Sequence, residues 1–137
     1  MKNKKNRRSK NSLANWIFNQ LLKIIRAAKR KKRLVGNLVK IYKVCDLRNS
    51  EDQEKKKLSG LIITREKSTY CIYINSEESP SEQIKTLIHE IGHFLFWWEY
   101  EPPIIKLENL IWNALSQEQK EILFEFIRKL KNTRQPK

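Results

Sequence analysis

His89 and His93 are the only histidines among 137 residues, and Glu90 stands between them in the run His89-Glu90-Ile91-Gly92-His93. On a helix, residues four apart share a face, so the two imidazoles can grip one metal ion. Glu90 lies one step round the same turn, where its carboxylate can take a proton from a water held by that metal. Neutral imidazoles suit zinc, and zinc makes hydrolysis accessible at neutral pH. The spacing points to a metal-dependent hydrolase with His89 and His93 as zinc ligands and Glu90 as the catalytic base.

This is the H-E-x-x-H spacing of zinc peptidases, which needs a helix and a third ligand. The helix is signalled by Ser79 as N-cap, Pro80 at the first helical position and Glu82 completing a Ser-x-x-Glu box. Ile84, Leu87, Ile88, Ile91, Leu95 and Trp98 then recur at helical spacing as one apolar stripe. At about 100° per residue, the histidines point roughly 140–180° away from that stripe, near Thr86, Phe96 and Trp97. The helix is therefore expected to pack on both sides and to carry the site on its second face. Gly92 costs roughly 1 kcal/mol of helix propensity relative to alanine, and close approach of another backbone would account for it.

A metzincin ligand set would need glycine at position 96 and histidine at position 99, where this chain has Phe96 and Glu99. A glutamate from a later helix is the alternative. After Pro102-Pro103, Ile104 to Leu115 reads as that helix, with Ile104, Leu107, Ile111 and Leu115 inward. Glu108 falls inside the stripe, about 40° from Ile104 and 60° from Ile111, where a lone carboxylate is costly to bury unless it binds a cation. Glu108 is the expected third ligand and Glu99 the runner-up; a helix-edge carboxylate paired with a lysine is the plainer alternative for Glu108. Glu101 sits in a Tyr-Glu-Pro-Pro turn. Glu118, Glu121 and Glu125 lie opposite Ile122, Leu123, Phe126, Ile127 and Leu130 and read as solvated.

Upstream the pattern is β. Leu38 to Leu47 alternates as a strand, Asn49 to Lys57 is a charged loop, and Gly60–Thr64 and Tyr70–Asn75 flank a short turn as a hairpin. A three-stranded sheet beside the motif helix is expected. Cys45 and Cys71 both fall in these strands, lack ligand spacing, and read as small buried hydrophobes rather than a disulfide.

Thr86-Leu87-Ile88-His89-Glu90-Ile91-Gly92-His93, preceded by Ile72-Tyr73-Ile74-Asn75, resembles small bacterial and phage zincins related to the ImmA/IrrE metallopeptidases. Glu108-Asn109 and the apolar run Leu110 to Leu115 are similar to their downstream glutamate helix. The resemblance covers roughly residues 35–130. It implies an α+β fold: a minimal gluzincin-like domain with a small antiparallel sheet on the motif helix and helices after it. It also implies a regulatory protease acting on a protein or peptide, such as a repressor of a mobile element. By the same resemblance, the strand at 70–75 pairs with the extended substrate; an ordinary structural hairpin is the alternative.

Charge divides the chain. Residues 1–45 hold fifteen Lys and Arg and no acid, whereas residues 46–137 hold fourteen bases against fifteen acids, so the net +14 belongs to the N-terminal third. Met1 to Asn11 reads as a disordered basic tail. Ser12 to Arg33 reads as a basic amphipathic helix with Leu13, Trp16, Ile17, Leu21, Ile24 and Ala28 on one side. Three roles stay open for it: binding nucleic acid, lying on an anionic membrane surface, or packing on the catalytic domain with its charges solvated. The expected division is a basic tail and helix at 1–33 and a metallopeptidase domain at 34–137. Lys23 and Arg26 break the apolar run of a signal peptide, and no stretch is long enough to span a bilayer, so a cytoplasmic location is expected.

Overall fold

The structure, a computed structural model, describes residues 2–49, 53–66, 68–96, 101–134 and 136, and only the backbone of 2–13 and 101–102. The elements run α1 (Lys2–Arg30), β1 (Leu38–Val44), β2 (Gly60–Arg65), β3 (Thr69–Asn75), α2 (Pro80–Leu95), α3 (Glu101–Ala114), α4 (Gln117–Arg128) and β4 (Asn132–Thr133). This is an α+β fold, a small sheet with four helices.

The sheet is mixed, in the order β2-β3-β1-β4, and not antiparallel as expected. β2 and β3 form the expected antiparallel hairpin, but β1 runs parallel to β3, and the two-residue β4 runs parallel to β1. The loop after β1 dictates this. It carries the chain from Val44, which pairs with Asn75 of β3, to Gly60, which pairs with Ile74, so it passes over one end of a slot that β3 then fills. Leu47, fully buried, anchors the loop, and its carbonyl accepts the Leu58 N–H. The tight hairpin turn returns β3 beside β2, and the only open partner for its other edge is β1.

Side chains alternate across the sheet as a pleat requires. Val39, Ile41, Ile72 and Ile74 face the helices and join Leu87, Ile88, Ile91, Ile111, Leu123 and Ile127 in the main core. Val44, Cys71 and Tyr73 face the other way, where Leu47 closes a smaller cluster. Cys71 is buried as expected, but Cys45 is exposed, because β1 ends at Val44 and Cys45 lies in the turn.

α1 is helical from Lys2, where a disordered tail to Asn11 was expected. Residues 2–30 contain no glycine or proline, and a helix held by packing at its far end extends at little cost. Its buried face is Ala14, Ile17, Phe18, Leu21, Ile24 and Ile25, so the apolar stripe is rotated from the expected one and Trp16 is left 49% exposed. That face lies in the main core. Likewise Ile122 of α4 is exposed, while Leu123, Phe126 and Ile127 are buried. Among the described residues no helix is long and apolar enough to cross a membrane.

Candidate metal centre

α2 begins as its sequence dictates. Ser79 is the N-cap, its hydroxyl accepting the Glu82 N–H, and Pro80 occupies the first turn. Ile84, Leu87, Ile88 and Ile91 are buried on one side. The other side meets β2 and α3, and there the motif residues gather. His89 Nε2 and His93 Nε2 lie 3.1 Å apart, with the rings edge to face at 72°. Glu90 is buried at 7% exposure, beside buried Thr86.

α3 starts at Glu101 and takes Pro102 and Pro103 in its first turn, where their missing N–H groups cost nothing. Ile104 and Ile111 are buried and Leu107 half-buried, as the stripe predicts. This packing brings Glu108 to the site: its Oε1 lies 3.9 Å from His89 Nδ1, and both side chains are mostly shielded from solvent. Glu108 thus approaches His89 from the Nδ1 edge, whereas His93 faces Nε2. Among the described residues no three His, Cys, Asp or Glu side chains are gathered closely enough to hold a metal ion. Glu99, the runner-up ligand, lies outside the described residues, as do Trp97, Trp98 and Tyr100. Glu118, Glu121 and Glu125 are exposed on α4, and Glu125 pairs with Arg128 and Lys129.

The donor set can be tested against zinc. Two ligands of a tetrahedral zinc at about 2.0–2.1 Å stand about 3.3 Å apart. The 3.1 Å between the two Nε2 atoms is close to that edge. A carboxylate at Nδ1 favours the tautomer with hydrogen on Nδ1, which leaves the Nε2 lone pair for a metal. The two imidazoles therefore stand at the spacing of zinc ligands, whereas Glu108, on the Nδ1 side of His89, does not complete a three-donor set with them.

Two glycines correct the reading of the backbone. At Gly92 the nearest atoms among the described residues are side-chain ones: an added Cβ would stand 3.5 Å from Ile104 Cγ2 and 3.6 Å from Leu107 Cδ2, ordinary contacts with α3. The close approach is at Gly60, the first residue of β2. A Cβ there would overlap Thr86 Cγ2 and lie 3.2 Å from both Cγ and Oε1 of Glu90. The missing side chain lets β2 run directly over the Glu90 carboxylate. Buried Asn75 holds it there, donating from Nδ2 to the Leu58 carbonyl and from its N–H to the Ser59 carbonyl. Sequence reasoning missed Gly60, although a glycine opening a strand is a recognised mark of close approach. The strand at 70–75, the expected candidate for an edge, is hydrogen-bonded on both sides as β3, and among the described residues β2 has a neighbour on one side alone.

Comparison with known proteins agrees with this geometry. The family model for the IrrE N-terminal-like domain, Peptidase_M78, matches residues 48–123. That span holds β2, β3, α2, α3 and the first half of α4, and so every described residue of the site. No curated protein and no solved structure matches the chain. With more than half of its length matched, and with the motif helix, hairpin and glutamate helix in place, the chain belongs to the IrrE N-terminal-like family of metallopeptidase-like domains.

Proposed function

We propose that this protein is a zinc-dependent peptidase in which His89 and His93 hold the metal, Glu108 joins them once its side chain turns from the Nδ1 edge of His89, and Glu90 is the general base. The observation that carries this is the pairing of the two Nε2 atoms at 3.1 Å beside a buried glutamate under the open edge of β2. Zinc, when bound, supplies a Lewis acid that raises the acidity of water and polarises the scissile carbonyl.

The other roles belong to the chain. β2 offers its free edge to an extended substrate, which aligns by main-chain hydrogen bonds as an added strand. Gly60 keeps that edge low enough for the scissile bond to reach Glu90. Glu90 takes a proton from the attacking water at its carboxylate oxygen and delivers it to the leaving amine nitrogen. Burial of Glu90 excludes bulk water from this transfer. The resemblance to regulatory zincins supports a protein substrate of the repressor kind, cleaved at a single exposed extended segment.

Elemental analysis of the purified chain tests the ligand set, with about one zinc per chain expected. Glu108→Ala is expected to lose most of it; retained zinc would leave Glu108 as the carboxylate that fixes the His89 tautomer. Glu90→Gln should keep the zinc and lose peptide hydrolysis by about two orders of magnitude or more. An unchanged rate in that variant would remove Glu90 from catalysis.

A further inference from the structure

β2 ends the sheet, and its main chain divides by the side each residue addresses. The Asn75 N–H donates to the Ser59 carbonyl, and Ser59 stands opposite Asn75 because Gly60 pairs with Ile74. Bonded pairs of an antiparallel ladder recur at every second residue, so Leu61 and Ile63 address β3. Gly60, Ile62 and Thr64 address the outer edge, and none of the three is buried. No strand lies beside them among the described residues.

The side chains divide by face. Gly60 meets Thr86 and Glu90, so Gly60, Ile62 and Thr64 lie on the helix face of the sheet. Leu61 and Ile63 lie on the far face, packed against the smaller cluster of Val44, Leu47, Cys71 and Tyr73. Register sets them in two rows across the sheet. Tyr42 pairs with Tyr73 and Tyr73 with Leu61; Lys40 pairs with Cys71 and Cys71 with Ile63. Tyr42 and Tyr73 stack with ring centroids 5.7 Å apart. The middle residue of each row is buried, whereas Leu61 and Ile63, at the row ends, are half-buried.

An antiparallel strand added at this edge bonds to Gly60, Ile62 and Thr64. Leu61 and Ile63 then fall at the non-bonded positions, where opposing residues come closest, with Cα atoms about 4.5 Å apart. The incoming side chains at those two positions extend the rows. An apolar one covers the open flank of Leu61 or Ile63, and a β-branched or aromatic one fits the pleat best. A charged one meets an apolar flank with no partner. Leu61 and Ile63 offer no charge to a phosphate, so a nucleic acid gains nothing from the rows. A second copy would join the same edges against a net charge of +14 on each chain. An extended peptide meets both the edge and the rows without that repulsion.

We propose that Leu61 and Ile63 select the segment that pairs with β2: an extended peptide with apolar side chains, β-branched or aromatic, at two positions two residues apart, both turned away from the motif helix. Its role as a substrate rests on the peptidase reading; the selection itself is measured without hydrolysis.

Fluorescence anisotropy of the full chain carrying Glu90→Gln, with zinc added, tests it on labelled heptapeptides. One peptide alternates valine with serine, and in its isosteric counterpart threonine replaces valine. The valine peptide is expected to bind saturably and roughly tenfold more tightly than the threonine one. Ile63→Lys should reverse the selection, binding a peptide with glutamate in place of valine more tightly than the valine peptide, an exchange that lost packing alone would not produce. Ile122→Lys, the same change at an exposed apolar residue of α4, should leave the valine preference intact. Equal binding of the valine and threonine peptides, or equal loss in the two lysine variants, would overturn the proposal. Absence of peptide binding would also overturn it, and a dimer in sedimentation that Ile63→Lys dissociates would then make the occupant a second copy. The same peptides given to the chain with Glu90 intact separate the two readings. Valine-selective binding without hydrolysis removes the peptidase and keeps the selection, whereas hydrolysis indifferent to valine keeps the peptidase and removes the selection.

Discussion

A methyl group added at Gly60 meets different surroundings from one added at Gly92. At Gly60 it presses on Thr86 and Glu90, and a crowded core site of this kind costs about 1–3 kcal/mol. Gly60→Ala should therefore lower the melting temperature and, by displacing the Glu90 carboxylate, reduce hydrolysis further than the stability loss explains. At Gly92 the methyl finds only ordinary contacts with Ile104 and Leu107, inside a helix where alanine is preferred to glycine. Gly92→Ala should stabilise the protein by about 0.5–1 kcal/mol in denaturant unfolding. A destabilised Gly92→Ala would show that α3 cannot shift to admit a Cβ.

At the scale of elements, the start of α2 matters most, because His89, Glu90 and His93 all follow from its phase. Ser79 satisfies one of the orphan N–H groups there, and Ser116 with Gln119 forms a reciprocal capping box on α4. Ser79→Ala and Ser116→Ala should each cost about 0.5–2 kcal/mol, read from urea midpoints at unchanged slope. If Ser79→Ala left the midpoint unmoved, the helix start would be held by its packing alone. The hairpin is the second positioning element. It sets β2 over Glu90 through Asn75, a residue whose polar side chain is buried and bonded to the loop before β2.

For the whole molecule, α1 is part of the core and not an appendage to it. Leu21 is fully buried among residues of the sheet and the other helices, and Leu21→Ala should destabilise by about 2–5 kcal/mol. Removing residues 1–33 takes away the buried face from Ala14 to Ile25 and should prevent folding. A folded protein lacking 1–33, by circular dichroism and a cooperative melt, would contradict this. Three of the fifteen bases of the N-terminal third, Lys29, Lys31 and Lys40, are thereby brought together beside β1.

Local rules made much of this protein legible in its sequence. The motif spacing, the Ser79 cap, the hairpin and the α3 stripe are each written within about one or two turns of chain, where propensity and periodicity act directly. They were enough to expect an α+β fold and to single out His89, Glu90, His93 and Glu108 as candidates. The parallel pairing of β1 with β3, the place of β2 at the end of the sheet, and the passage of Gly60 over Glu90 were not legible. The same holds for the rotation of α1 that buries Phe18 and exposes Trp16. Each depends on which distant segment fills a neighbouring slot, and a strand or helix presents the same local pattern whichever neighbour it meets. Residue types and spacing set the candidate ligands and the helix that carries them. Which strand lies beside them is a matter of packing between distant segments, because strand order is settled by long-range burial and by where the loops allow the chain to return.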